Sequence, residues 1–131
     1  MTTIRIGIAG YGNLGRGVEL ALRQNPDMEL KAFFTRRDPA SLRTLSPEVP
    51  VYSMEQLESY LSANTVDMAV LALPASVAQD TLDRLVKCGV QAVWNFAPTD
   101  LNHDKNTIVV NVHLSDTLQI LSYKMAHADD Q

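Results

Sequence analysis

Hydrophobic positions along this chain recur with two different periods, and the switches between them divide it into strands and helices. Ile4-Arg5-Ile6-Gly7-Ile8-Ala9 reads as a buried strand. Residues 67–73 are continuously apolar after Asp67, as in a central parallel strand buried on both faces. Shorter runs predict strands over residues 29–34, 49–52, 91–96 and 107–112. Between these runs the spacing changes to three and four. Leu14, Val18, Ala21 and Leu22 form one helical stripe, with Arg16, Glu19 and Arg23 on the other faces, and Asn25-Pro26 ends that helix. Ser53 with Gln56, and Ser76 with Gln79, have capping-box spacing. The first pair opens a helix to about Leu61; the second opens one that buries Ala78, Leu82, Leu85 and Val86 and closes with Gly89 at C′. Residues 40–48 are polar and aperiodic, a loop with room for one helical turn.

Strands that alternate with helices at such short intervals pair in parallel through right-handed crossovers. The expected fold is α/β: a doubly wound parallel sheet in the order 3-2-1-4-5-6, a Rossmann-type domain over residues 1–113 that leaves nothing substantial for a second domain. A C-terminal helix and tail occupy residues 114–131. Leu114, Leu118, Leu121 and Met125 recur there at helical spacing, with Ser115 as N-cap. This helix has two readings: a cover for its own sheet, or an arm docked on a second subunit, because Ile120 and Tyr123 lie off the main stripe.

The chemistry is concentrated after the first strand, in Gly10-Tyr11-Gly12-Asn13-Leu14-Gly15. Strand, glycine turn and helix in that sequence form a phosphate grip. Gly10 makes the turn, Gly12 admits a pyrophosphate close to backbone N–H groups, and Gly15 lets helix and strand approach, with the helix N-terminus facing the phosphates. The end of the second strand chooses between dinucleotides. A carboxylate about 20 residues past the glycines would bind the ribose hydroxyls of NAD, whereas cations suit the 2′-phosphate of NADP. Here the strand ends in Thr35-Arg36-Arg37, with Asp38 one step too late. The expected cofactor is therefore NADP(H), with NAD(H) as the second possibility. Leu73, Pro74 and Ala75, after the fourth strand, are placed along the dinucleotide's path. Asn95, Phe96 and Ala97, after the fifth, are placed at the nicotinamide, while Trp94 is assigned to core packing.

Composition narrows this further. The 131 residues carry a net charge of −4, which argues against a broad nucleic-acid surface. No apolar run is long enough to span a bilayer, no signal peptide is evident, and a lone Cys88 permits no internal disulfide, so a cytoplasmic protein is expected. Cys88 reads as a small buried hydrophobe. His103, His113 and His127 make no metal-ligand spacing, and no nucleophile–base set converges on the crevice. The expectation is a module that binds or senses a cofactor without turning over a substrate. The alternative is the cofactor domain of an NADP-dependent dehydrogenase whose substrate region lies elsewhere.

Two resemblances bear on this. The glycine stretch, Gln24-Asn25-Pro26-Asp27-Met28-Glu29-Leu30 and Phe34-Thr35-Arg36-Arg37 resemble meso-diaminopimelate dehydrogenase, an NADP-dependent enzyme. In that enzyme arginines after the second strand hold the 2′-phosphate, which implies the same role for Arg36 and Arg37. From about Val66 onward, Ala72-Leu73-Pro74-Ala75 with Ala78-Gln79, Trp94-Asn95-Phe96-Ala97-Pro98, Val109-Val110-Asn111-Val112, and Leu114-Ser115 through Leu121-Ser122-Tyr123 resemble the Rex redox-sensing repressors. Those are homodimers that bind NADH in a Rossmann domain and exchange a terminal helix. The likeness implies a homodimer through residues 116–125. The winged-helix domain of that family is not found in these residues, so no direct nucleic-acid contact is expected of this chain. Its acidic residue after the second strand is replaced by Thr35-Arg36-Arg37. Together the two likenesses suit a stand-alone Rex-like nucleotide domain with altered cofactor preference, or a constructed chimera.

Overall fold

A computed structural model of the chain describes residues 3–112. The helix predicted after residue 113, and with it His113 and His127, lies outside the described residues.

Six parallel strands form one sheet in the order β3-β2-β1-β4-β5-β6. They are β1 (Ile4–Ala9), β2 (Met28–Thr35), β3 (Val51–Ser53), β4 (Met68–Leu71), β5 (Ala92–Asn95) and β6 (Ile108–Asn111). The helices are α1 (Asn13–Arg23), α2 (Leu57–Ala63) and α3 (Ala75–Lys87), with short 3-10 turns at Pro39–Ser41 and Met54–Gln56. The doubly wound sheet is as expected. The strands β3, β4, β5 and β6 are shorter than their apolar runs, and at β4 the reason is visible: Ala72 and Leu73 turn out of the sheet to line the cleft described below.

Alternation across the strands sends side chains to two cores. Ile8, Phe33 and Val70 pack with Val18 and Leu22 of α1 on one face. Ala9, Phe34 and Leu71 pack with Leu57 of α2 and with Ala78, Leu82 and Leu85 of α3 on the other. Val86 is half-buried at the rim of that second core. Parallel strands covered on both faces read as unbroken apolar runs, which is why β4 was so visible. Trp94 and Phe96 join the α1-side core, their rings edge to face at 5.7 Å. Beyond them on the same face, Ile108 and Val110 of β6 are 65% and 50% exposed.

Pairing between β1 and β2 is interrupted once. Ile6 opposes Leu30 but Gly7 opposes Ala32, so Lys31 is an extra residue in β2. Two local expectations are also corrected. The α1 stripe is Gly15, Val18, Glu19 and Leu22: Ala21 is exposed and Glu19 is completely buried. The Ser76–Gln79 capping box does not form. The helix begins at Ala75 with Pro74 as N-cap and no capping side chain, and Gln79 instead clamps Asn102, donating to its carbonyl and accepting from its N–H. The Ser53–Gln56 pair does cap its turn, with the Ser53 N–H donating to Gln56 Oε1 at 2.9 Å.

Candidate dinucleotide site

The carboxyl ends of β1, β2 and β4 meet around one cleft of about 240 Å³. Gly10 and Tyr11 enter it from β1, Thr35, Arg36 and Arg37 from β2, and Ala72, Leu73 and Pro74 from β4. Doubly wound sheets open a crevice at this point because the chain reverses its winding direction between β1 and β4.

Gly10 has φ +91°, and a Cβ there would run into the Ala72 carbonyl and lie 2.8 Å from Leu73 Cδ2. The turn after β1 is therefore fitted against the turn after β4. Gly15 lies close beneath, its Cβ position 3.2 Å from the Gly10 carbonyl oxygen, so the start of α1 sits hard against the turn. Gly12 differs from both. It is extended, and a Cβ on it would meet nothing within 4 Å. No protein atom requires a glycine at that position, and the space in front of it, beside the cleft, is open. Gly12 is the N-cap of α1, no side chain caps that end, and the first turn carries no acidic residue. The N–H groups of the first turn, which have no partner within a helix, are free to meet an anion. These features fit a dinucleotide's pyrophosphate.

Around the cleft, Thr35 is buried and its Oγ1 accepts the Arg37 N–H at 3.1 Å. The Arg37 guanidinium reaches back across the cleft to the Tyr11 carbonyl at 2.5 Å. Arg36 is exposed and makes no hydrogen bond among the described residues. Asp38, the nearest carboxylate, is turned to its own 3-10 turn and accepts the Ala40 N–H. A cation-rich rim therefore stands where an acidic residue would otherwise receive ribose hydroxyls.

The predicted site residues thus divide into two groups. Gly10, Tyr11, Thr35, Arg36, Arg37, Leu73 and Pro74 are brought together, with Gly12, Asn13, Leu14 and Gly15 forming the turn and the helix start beside them. Ala75 is the first residue of α3, one step outside the cleft lining. Asn95 and Ala97 are buried elsewhere. The Asn95 side-chain amide donates to the Thr99 carbonyl (2.9 Å) and to Asn111 Oδ1 (2.9 Å), and its Oδ1 accepts the Ala97 N–H (3.0 Å). Phe96 packs on Trp94. Ala72 contributes to the cleft through its backbone, a role no side-chain pattern signals.

A larger opening of about 600 Å³ lies between α3 and the 102–107 loop, near Asp83, Lys87, His103 and Asp104. It has neither a glycine turn nor a helix N-terminus. Among the described residues no group of three or more His, Cys, Asp or Glu can hold a metal, and no helix is long and apolar enough to cross a membrane. Cys88 is partly buried, and that burial pushes its thiol up from the ordinary value, away from the reactive thiolate.

The family model described as CoA binding domain matches residues 1–99. The chain belongs to that family. Within it the likeness is to Rex proteins. The redox-sensing transcriptional repressors Rex of Caldanaerobacter subterraneus subsp. tengcongensis and Clostridioides difficile are each 39% identical over 119 residues. That is 90% of this chain and 53% and 56% of theirs, so the chain spans about half the length of the curated relatives it matches. The crystal structure of RSP, a Rex-family repressor, is 34% identical with a TM-score of 0.79, covering 98% of this chain and 61% of RSP. RSP in complex with beta-NADH aligns at 33% identity and 0.76, over 98% and 62%. RSP in complex with beta-NAD+ and operator DNA aligns at 34% and 0.78, over 98% and 59%. An engineered D-amino acid dehydrogenase bound to NADP+ is 28% identical with a TM-score of 0.58, over 72% of this chain and 27% of the enzyme. The Rex likeness is therefore not confined to the second half. It also takes in the half whose motifs resemble meso-diaminopimelate dehydrogenase, and the family's matching residues begin at position 1.

Proposed function

We propose that this chain is a dinucleotide-binding domain of the redox-sensing Rex type, in which occupancy of the cleft is a signal and no substrate is turned over. The observation that carries the reading is the empty space at Gly12, set between an uncapped helix N-terminus and the Gly10–Ala72 contact. In this reading the first-turn N–H groups of α1 hold the pyrophosphate, and Leu73 and Pro74 line its path. Asn95 acts indirectly, fixing the 97–99 loop and β6. The nicotinamide supplies the redox chemistry when the cofactor is bound; the chain's own residues bind and orient it.

We further infer a preference for NADP(H) over NAD(H). Its support is the absence of a carboxylate at the end of β2, together with an Arg36 that has no other partner among the described residues. RSP has been crystallised with NADH and NAD+, so this domain would differ from that relative in cofactor. The test is a side-by-side titration of the protein with NADPH, NADH, NADP+ and NAD+, followed by Trp94 fluorescence and calorimetry. Arg36→Ala is expected to weaken NADPH about tenfold and to leave NADH unchanged, the loss of one charge-assisted contact. Equal loss for both would make Arg36 structural, and stronger binding of NADH by the wild type would refute the preference.

The dehydrogenase reading has one observation in its favour, the likeness to an NADP+-bound enzyme. Steady NADPH oxidation with a small carbonyl or imine substrate would establish it. We also propose a homodimer formed through residues 116–125 in a cytoplasmic protein, supported by the exposed apolar face that Ile108 and Val110 continue from Trp94. The net charge of −4 supports a domain that does not itself contact DNA.

A further inference from the structure

Glu19 occupies a position where α1 calls for an apolar residue. It lies four residues after Gly15 and three before Leu22, between two buried neighbours of the stripe, and it is 0% exposed. Its Oε1 accepts the Tyr11 hydroxyl at 2.5 Å and the Leu45 N–H at 3.2 Å, while Oε2 is buried with no partner. No cation is ion-paired with it among the described residues. Arg23, one turn further along the helix, donates instead to the Leu45 carbonyl and to Ser46 Oγ. A buried, half-satisfied carboxylate lowers stability relative to a well-packed apolar side chain. Helix packing therefore does not account for a glutamate here.

What Glu19 does is hold Tyr11. That residue stands between Gly10 and Gly12, where the backbone on either side has little steric restraint of its own. Tyr11 is fixed at three points: its ring packs edge-on to Phe33 at 5.3 Å, its carbonyl accepts Arg37, and its hydroxyl donates to Glu19. Burial, and then the bond to Glu19, raise the phenol above its ordinary ionisation range and outweigh the nearby Arg16, which lowers it, so it remains a donor. We propose that Glu19 is a positioning residue of the dinucleotide site. Acting through the Tyr11 hydroxyl, it pre-sets the glycine turn and ties it to the Leu45–Ser46 segment. The proposal deepens the dinucleotide reading above and rests on it. A turn held in its binding geometry before the ligand arrives removes a conformational cost from binding, for either dinucleotide alike.

The experiment compares Tyr11→Phe, Glu19→Leu and the double variant with the wild type. Three readouts are used: hydrogen exchange at residues 10–15 in the ligand-free protein, thermal midpoint, and Kd for NADH and NADPH. Each single variant is expected to speed exchange at the turn and to raise both Kd values about fivefold, the worth of one hydrogen bond. The double variant is expected to match the singles, since both remove the same contact. Glu19→Leu is expected to hold or raise the midpoint while binding weakens, a divergence that a merely structural residue would not give. Unchanged exchange and Kd, effects that multiply in the double variant, or a midpoint of Glu19→Leu that falls in step with its affinity would overturn the proposal. If the wild type binds neither dinucleotide, the functional reading fails, and the ligand-free exchange rates alone decide the role of Glu19.

Discussion

Gly10 and Gly12 are two residues apart, yet they should respond to the same substitution in opposite ways. At Gly10 an alanine Cβ must enter the φ > 0 region, which costs about 1–2 kcal/mol. It also meets backbone, with the Ala72 carbonyl carbon 2.8 Å away and Leu73 Cδ2 at the same distance. Backbone cannot swing aside as a flexible side chain can, so overpacking adds about 1–3 kcal/mol. The total, about 2–5 kcal/mol, is a large share of the ~5–15 kcal/mol that holds a domain together, and the midpoint should fall by roughly 10 °C. At Gly12 the backbone is extended and the added Cβ touches nothing. The cost there is at most about 1 kcal/mol, because alanine is a poorer N-cap than glycine. Binding should show the reverse. Gly12→Ala places a methyl where the pyrophosphate approaches, and both NADH and NADPH should weaken by about tenfold or more; Gly12→Val should abolish both. Thermal melts with and without cofactor, alongside calorimetric titration, measure both quantities. A Gly12→Ala protein that melts as low as Gly10→Ala, or that binds normally, would refute the assignment of open space to the ligand.

Other consequences can be checked independently. Asn95→Ala leaves the buried Ala97 N–H without its acceptor, and the half-buried Thr99 carbonyl and the exposed Asn111 without their donor, and urea unfolding should show a loss of about 2 kcal/mol. Arg84 donates to both Glu58 oxygens at 2.5 Å and holds that carboxyl down at about 2 from an ordinary 4.5. A depressed carboxyl stabilises the fold above its ordinary value and loses that contribution as pH falls toward the folded one. Because Glu58 is half exposed, Glu58→Gln should cost under about 1 kcal/mol at neutral pH. The deficit relative to wild type should vanish between pH 4.5 and about 2, as followed by acid titration of the midpoint. Ending the chain before Ser115 should give monomers or insoluble protein, and a dimer that persists in light scattering would eliminate the terminal helix as the interface.

The sheet order and the glycine turn were legible because each writes itself in residue type. Buried parallel strands are unbroken apolar runs, and a turn that excludes Cβ atoms must be glycine. What sequence reading missed followed from trusting residue type over position. The charge of Glu19 assigns it to a face away from the apolar stripe, although Gly15, Val18, Glu19 and Leu22 stand at i, i+3, i+4 and i+7, the spacing of one buried face. Ser76 and Gln79 have the letters of a capping box, but Pro74 is the N-cap and the helix starts at Ala75, two residues too early for Ser76 to serve in that place. Asn95 looked available for a cofactor amide. That its hydrogen-bonding groups serve Thr99, Ala97 and Asn111 depends on contacts up to 16 residues away that no local pattern records.

Lys31 changes how β2 counts. Up to Ile6 and Leu30 the two strands run in step; from Gly7 and Ala32 onward β2 is one residue ahead, and Phe33 and Phe34 face opposite cores in the new phase. The half of the strand that carries Thr35, Arg36 and Arg37 to the cleft is thus indexed from the cleft end, and the other half from the Met28 end. Lys31 absorbs the difference. A chain lacking this residue could pair Leu30 and Ala32 with consecutive residues of β1 and deliver the same three residues to the same place. The middle of an internal strand, ordinarily the last place for a length change, is here where β2 is one residue longer than the strand beside it, and removing Lys31 should leave the chemistry where it is.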